Sequence, residues 1–157
     1  MKTVNKLISI VMTACIALGM AGCSMRKTDI EELKKNDGVM LVITRTPQVA
    51  MTKEQFEKAC TSQTVTYKGE AFNPNPVTKA GVMMSDEDYR EIYKFCVNNV
   101  RWNKFKHYKE DVCDGETYTF TFYDTDGEKH VIYSGYIYSN KELKKIRGIV
   151  SGYTIEG

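Results

Sequence analysis

Histidine, tryptophan and proline are scarce in this 157-residue sequence, which contains two, one and three of them respectively. With His107 and His130 as its only imidazoles, the chain has few groups suited to acid–base catalysis near neutral pH. The Gly-x-Ser-x-Gly, His-Glu-x-x-His, phosphate-loop and dinucleotide-binding patterns are all missing. The sequence therefore gives no support to the enzyme classes that these motifs define.

An excess of charge of one sign is also missing, once the N-terminal segment is set aside. Lys2 and Lys6 are the only charged residues among the first 22, so the remaining 135 residues carry 20 basic and 20 acidic side chains. Nucleic-acid binding depends on neutralising several phosphates, which a balanced chain does not favour. We therefore expect no nucleic-acid partner. The remaining 135 residues are enough for one domain with its own hydrophobic core.

Long hydrophobic runs are missing except near the N terminus, where residues 7–21 contain no charged side chain. This run follows Lys2 and Lys6 and is shorter than the roughly 20 apolar residues of a membrane-spanning helix. It ends in small residues, which is typical of a cleaved signal peptide rather than of an uncleaved anchor. Residues 1–22 are therefore predicted to be removed from the mature protein.

The segment closes with the motif Met20-Ala21-Gly22-Cys23, which resembles the lipobox of bacterial lipoproteins except that Met20 replaces the usual leucine. The resemblance implies cleavage between Gly22 and Cys23 and a diacylglycerol on the Cys23 thiol. Stable anchoring needs two or more acyl chains. The implied location is extracytoplasmic, on a cell membrane or outer membrane. Cys15 is the competing position, but it would follow a much shorter apolar run.

Three further cysteines, Cys60, Cys96 and Cys113, follow the lipobox. Cys96 lies on the apolar face of a predicted helix, where a thiol packs as a small hydrophobic group. The remaining pair, Cys60 and Cys113, is the candidate disulfide. Connectivity does not follow from sequence alone, and a reducing environment would leave both as thiols.

The expected plan is a lipidated N terminus and tether over residues 23–37 and a single globular domain over residues 38–157. An apolar run predicts a first strand over 39–46. Thr52 and Gln55 have the spacing of a capping box, which predicts a short helix that buries Phe56, Ala59 and Cys60. A second strand is expected over 64–68, and the prolines in Asn73-Pro74-Asn75-Pro76 predict a loop over 69–84.

The second half of the chain has the clearer patterns. Ser85 and Asp88 predict the start of a helix that runs to about Trp102, with its apolar side formed by Tyr89, Ile92, Tyr93, Cys96 and Val100. Residues 117–124 alternate threonine with aromatics, and Asp126-Gly127 predicts a hairpin turn before a strand over 130–138. Ser139 and Glu142 predict the cap of a last helix. The fold class is α+β, a small three- or four-stranded antiparallel sheet with helices packed on one face.

Two arrangements of metal-binding residue types occur, and neither predicts a site. Asp124-Thr125-Asp126-Gly127-Glu128 resembles the opening of a calcium loop, but a strand resumes where further ligands are needed, so a hairpin turn is preferred. His107, Cys113 and His130 lack the short spacing of structural zinc sites, and the same spacing gives no support to a Cys–His catalytic pair. We expect no metal and no cofactor.

The segment Arg101–Lys109 is the most unusual stretch because cations alternate with aromatics. Tryptophan, tyrosine and arginine are enriched at binding hot spots, which makes this segment the candidate partner surface, formed by Arg101, Trp102, Lys104, Phe105 and Tyr108. The plainer alternative is that Trp102 and Phe105 close the core while the lysines are solvated. The hairpin tyrosines form a second candidate surface: Tyr123, Tyr133, Tyr136 and Tyr138.

These observations favour a membrane-anchored cell-envelope lipoprotein with a non-enzymatic protein-binding domain. Its partners would be the lipid bilayer, through Cys23, and another envelope protein. Two alternatives stay open: an envelope enzyme that acts on cell-wall or glycan material, and a membrane-surface protein that uses the basic segment 101–109. A deep pocket that gathers His107, Cys113 or His130 with a carboxylate would favour the enzyme, and a flat aromatic face would favour binding.

Overall fold

The structure is a computed structural model that describes residues 27–49, 51–74, 81–112 and 115–154. The expected signal peptide, Gly22, Cys23 and Cys113 lie outside the described residues. Along the chain the elements are α1 (Lys27–Leu33), β1 (Val39–Pro47), α2 (Lys53–Ala59), β2 (Thr61–Thr66), β3 (Glu70–Phe72), β4 (Val82–Met83), α3 (Asp86–Trp102), β5 (Glu116–Tyr123), β6 (Lys129–Gly135) and α4 (Lys141–Tyr153).

The α+β class is confirmed, but the sheet is larger than the three or four strands expected. It has six antiparallel strands in the order β4-β3-β2-β1-β5-β6. The additional strands β3 and β4 pair with each other inside the segment expected to be a loop, where Glu70 lies opposite Met83. Strands of three and two residues are too short to show a period-2 pattern in sequence, which is why they were missed.

The core lies on the face of the sheet that α3 and α4 cover. Ile43 of β1 is opposite Phe120 of β5, and both are buried. Phe95 of α3 packs on Phe120 with ring centroids 6.1 Å apart. The expected alternation of β5 is confirmed, since Phe120 and Phe122 point into this core while Thr119 pairs with Ser134 on the other face.

The two long helices are antiparallel and are tied together at their ends. The hydroxyl of Ser85 accepts a hydrogen bond from the Asp88 N–H, so Ser85 is the N-cap of α3 as expected. Tyr153, at the end of α4, donates its hydroxyl to the Asp88 carboxylate at 2.6 Å. Among the described residues, no helix combines the length and the apolar composition that crossing a bilayer requires.

Helix α1 joins the domain at the same end as the start of α3. Its Ile30 is 2% exposed and belongs to the core, and Lys34, just after α1, pairs with Asp86 at 2.5 Å. The segment expected to be a tether therefore contains a packed helix from Lys27 onwards. The N-terminal segment consequently meets the domain close to the first turn of α3.

Two local expectations need correction. Phe56 of α2 is 40% exposed and α2 buries none of its residues, although its Thr52–Gln55 capping box is confirmed. The N-cap of α4 is Asn140 rather than Ser139, because the Asn140 side chain accepts the Leu143 N–H while the Ser139 N–H donates to Glu110. Asparagine and serine are both good caps, so sequence spacing did not distinguish these two neighbours.

Candidate functional site

The chain reverses direction where α3 ends, and this turn divides the expected partner surface. Asn103 adopts a left-handed conformation (φ 51°) as the C-cap and donates its N–H to the Asn99 carbonyl at 2.8 Å. Asparagine tolerates this conformation better than most residues. Trp102 and Phe105 are three residues apart, but the helix stops between them, so they do not share a face.

Phe105 points into the core and is 5% exposed. Its ring lies 6.3 Å from that of Phe95 and 5.8 Å from those of Tyr108 and Tyr133, with mostly edge-on geometry for the last two. Tyr108 is half-buried and donates its hydroxyl to Glu110 at 2.7 Å. The core-closing alternative is therefore correct for Phe105.

Trp102 points the other way and is 70% exposed, so the core-closing alternative is wrong for this residue. The Arg101 guanidinium lies 5.0 Å from the centre of the Trp102 ring, within cation–π range. Tyr138, which follows β6, is 78% exposed. A large aromatic left in water is uncommon, which makes Trp102 and Tyr138 the aromatic groups best placed to contact a partner.

A single carboxylate joins the chain after α3 to the chain before α4. Glu110 accepts the backbone N–H groups of Tyr138, Ser139 and Asn140 at 2.5, 2.9 and 3.0 Å. Burial alone would raise its pKa, but the hydrogen bonds from Tyr108 and from these N–H groups hold the pKa of Glu110 below its ordinary value. The segment that carries Trp102 and the segment that carries Tyr138 are thereby held at one end of the domain.

Cations dominate this end of the domain. Lys104 forms an ion pair with Glu142 in the first turn of α4, and Lys144 donates to the Tyr138 carbonyl at 3.4 Å. We define the basic aromatic surface as Arg101, Trp102, Lys104, Tyr138 and Lys144. Sequence reasoning found the first three residues and missed the last two, because their proximity depends on the antiparallel packing of α3 and α4.

The hairpin tyrosines do not form a separate surface. Tyr133 is buried and donates its hydroxyl to the Tyr136 carbonyl, and burial raises the pKa of Tyr133 to about 12. Tyr123 and Tyr136 are half-buried. Only Tyr138 of the four is exposed, and it belongs to the basic aromatic surface.

The cysteines and histidines occupy different environments. Cys96 is fully buried and burial raises the pKa of its thiol, so it packs as a small hydrophobic group as expected. Cys60 is half-buried beside α2, and its bridge to Cys113 stays a prediction because Cys113 lies outside the described residues. His107 is exposed, whereas His130 is half-buried and contacts Asp124 at 2.8 Å.

The Asp124–Glu128 segment is a hairpin turn, as expected. Gly127 has φ +81° and donates its N–H to the Asp124 carbonyl at 3.0 Å. The turn nevertheless gathers Asp124, Glu128 and His130, whose ligand-type atoms lie within 4.8 Å of one another. In the sequence, Asp124 and Glu128 were considered as part of a calcium-type loop, and His130 as part of a separate zinc-type set. Side chains alternate between the two faces of a strand, and this alternation could have shown that the three residues lie on one side of the hairpin.

A groove of about 400 Å³ runs between α3 and α4. The groove carries charges of both signs, and Glu91 forms an ion pair with Lys145 across it. Arg90 also lines the groove, and its Nε is buried without a hydrogen-bond partner among the described residues. The described lining residues include neither histidine. The groove therefore lacks the histidine–carboxylate pair that would favour an envelope enzyme.

Comparison of the chain with protein-family models, curated proteins and solved structures finds no match. We therefore infer a function from the chain's own geometry. Its two strongest features are the basic aromatic surface and the Asp124–Glu128–His130 cluster.

Proposed function

We propose that this protein is a cell-envelope lipoprotein, anchored through a lipid on Cys23, whose domain is a non-enzymatic module that binds another envelope protein. The resemblance of Met20–Cys23 to a lipobox supports the anchor. The basic aromatic surface supports protein binding. The observation that carries the proposal is the outward position of Trp102, which is 70% exposed beside Arg101.

The partner proposed for this surface is acidic. Arg101 and Lys144 are exposed, and further lysines at 106, 109 and 141 are exposed in the same two segments. Glu142 is engaged by Lys104, and Glu110 by backbone N–H groups. Complementary charge raises association rates and helps to exclude wrong partners, so an acidic surface on another protein fits best.

The position of the surface favours a protein partner over the anchoring membrane. Lys34 fixes the N-terminal segment beside Asp86, at the first turn of α3. At 1.5 Å per residue, Trp102 lies about 24 Å further along the helix. The proposed tether, through α1, therefore joins α3 at the end opposite to the basic aromatic surface, which supports a partner other than the anchoring membrane.

The first experiment is photo-crosslinking in native membranes with a photoreactive residue in place of the exposed Asn98, one helical turn before Trp102. We expect one dominant acidic partner, whose capture weakens with salt and is lost in Trp102→Ala. Met83→Ala is the matched control because Met83 is an exposed apolar residue of β4, just before the first turn of α3 and so at the other end of that helix. Equal capture by both variants would contradict the proposal. Phe105→Ala is unsuitable as a test because Phe105 is buried and its loss would damage the core.

Trp102 is the only tryptophan of the chain, so its fluorescence reports directly on the surface. Addition of the purified partner should shift the emission to shorter wavelength as the indole leaves water. Vesicles rich in phosphatidylglycerol should leave the emission unchanged. A shift with vesicles but none with the protein would instead support the membrane-surface alternative.

A further inference from the structure

The strands of the β5–β6 hairpin place three metal-ligand side chains on one side. Successive side chains of a strand alternate between its faces, so Asp124 shares the side of Phe122, and Glu128 shares the side of His130. Phe122 and His130 are opposite each other in the register, and their rings stack with centroids 6.1 Å apart. The hairpin therefore points Asp124, Glu128 and His130 to the same side of the sheet.

The geometry points to a binding site for a divalent first-row metal ion of the zinc type, with His130 Nε2 and the carboxylates of Asp124 and Glu128 as its protein ligands. The ligand-type atoms of the three residues all lie within 4.8 Å of one another. Zinc is bound by imidazole nitrogen and carboxylate oxygen at about 2.0–2.2 Å. Two ligands of one tetrahedral ion are then about 3.3–3.6 Å apart, so His130 Nε2 and Asp124 Oδ2, which are 2.8 Å apart, would need to separate by less than about 1 Å to share the ion.

Asp124 can bind an ion without giving up its role in the turn. Its Oδ1 accepts the backbone N–H groups of Asp126 and Glu128 at 3.0 and 2.8 Å. Its Oδ2 is directed at His130. One oxygen therefore holds the turn while the other remains available as a ligand.

The ligand set selects the class of ion. Calcium and magnesium prefer oxygen ligands, whereas an imidazole favours zinc, copper, nickel or cobalt. Three protein ligands leave room for water or for a donor from another molecule, which differs from a closed structural site. A metal ion binds the lone pair of His130 Nε2, so the remaining ring proton must be on Nδ1. If the ring carries protons on both nitrogens before binding, the Nε2 proton passes to water.

The test is a titration of the full-length protein in detergent with Zn²⁺, followed by calorimetry, after alkylation of accessible thiols. We expect one site that His130→Gln abolishes and that His107→Gln, which alters the other histidine of the chain, leaves intact. Removing a group that only hydrogen-bonds to a metal ligand weakens metal binding about 10–100-fold. Glu128→Gln alters a ligand itself, so we expect it to weaken Zn²⁺ binding by at least about tenfold. Asp126→Asn, in the same turn, is the matched carboxylate control.

Several results would overturn the site. These are no heat with Zn²⁺, unchanged affinity in Glu128→Gln, equal losses in His107→Gln and His130→Gln, or tighter binding of Ca²⁺ than of Zn²⁺. Glu128 is exposed, so Glu128→Gln keeps the test decisive if His130→Gln fails to fold. Co²⁺ gives an independent readout, because its visible spectrum distinguishes nitrogen and oxygen ligands from sulfur.

Discussion

At the scale of single residues, Glu110 has a structural role that its sequence context does not indicate. It is one acid in a polar segment, yet its carboxylate receives three backbone N–H groups and the Tyr108 hydroxyl. The protein thereby stabilises the ionised form, and the pKa of Glu110 in the folded state is lower than in the unfolded chain. Its contribution to stability is present above the unfolded pKa and is lost as pH falls through the folded pKa.

Glu110→Gln should lower the free energy of unfolding at pH 7 by about 1–2 kcal/mol, the value of hydrogen bonds to a charged group at a partly exposed site. It should also reduce the loss of stability on acidification below about pH 5, since one depressed carboxyl has been removed. Urea unfolding at several pH values measures both effects. Asp111→Asn, an exposed neighbour, should change neither, and equal effects of the two variants would contradict the role of Glu110.

Two aromatic residues show how far a residue pattern can be interpreted without the fold. From the sequence, Trp102 and Phe105 were assigned together, either to one partner surface or to the closing of the core. The helix ends at Asn103 in a left-handed conformation, so one ring enters water and the other enters the core. Phe105 and Tyr108, which were expected in the partner surface, are buried and half-buried, whereas Tyr138 and Lys144 are exposed and were not among the expected residues.

At the scale of elements, the segments with strong local signals were predicted well. Helix α3 has an N-cap serine, three acids in its first turn and an apolar stripe, and its bounds are those expected. The β5–β6 hairpin has alternating side chains and an Asp-Gly turn. Strands β3 and β4 were missed because two- and three-residue strands are stabilised by their neighbours rather than by a pattern of their own.

Two glycines allow the same substitution to be tested in opposite directions. An added Cβ would meet nothing within 4 Å at either Gly127 or Gly148, so packing does not distinguish them. Gly127 has φ +81°, and Gly127→Ala should destabilise the protein by about 1–2 kcal/mol through backbone strain. Gly148 lies inside α4, and Gly148→Ala should stabilise it by about 0.5–1 kcal/mol.

Chemical denaturation of the two variants measures these effects against the unmodified protein. Similar changes in both variants would contradict the assigned conformations. A loss at Gly148 would indicate that α4 does not extend through this position.

At the scale of the whole molecule, the end of α1 and the basic aromatic surface lie at opposite ends of α3. Lys34 pairs with Asp86 at one end, and Trp102 is exposed at the other. Under the proposal that Cys23 carries a lipid, the tether would join the domain at the end of α3 that is remote from Trp102.

Cys23→Ser should release the protein from the membrane fraction, because the thiol that would carry the diacylglycerol is absent. Cys15→Ser is the matched control within the expected signal peptide and should leave fractionation unchanged. Membrane fractionation together with the mass of the N-terminal peptide measures the outcome. Release by Cys15→Ser but not by Cys23→Ser would mean that the lipobox was assigned to the wrong cysteine.

The sequence by itself determined the α+β class, the principal helices and the main hairpin. These properties follow from local signals, namely capping residues, side-chain periodicity and turn glycines, which act within a few residues of the chain. Tertiary structure alone decided the six-strand order, the opposite positions of Trp102 and Phe105, and the attachment of the Tyr138 segment to Glu110. Each of these depends on pairing or packing between residues that the local pattern does not connect, and so on which elements become neighbours when the core is buried.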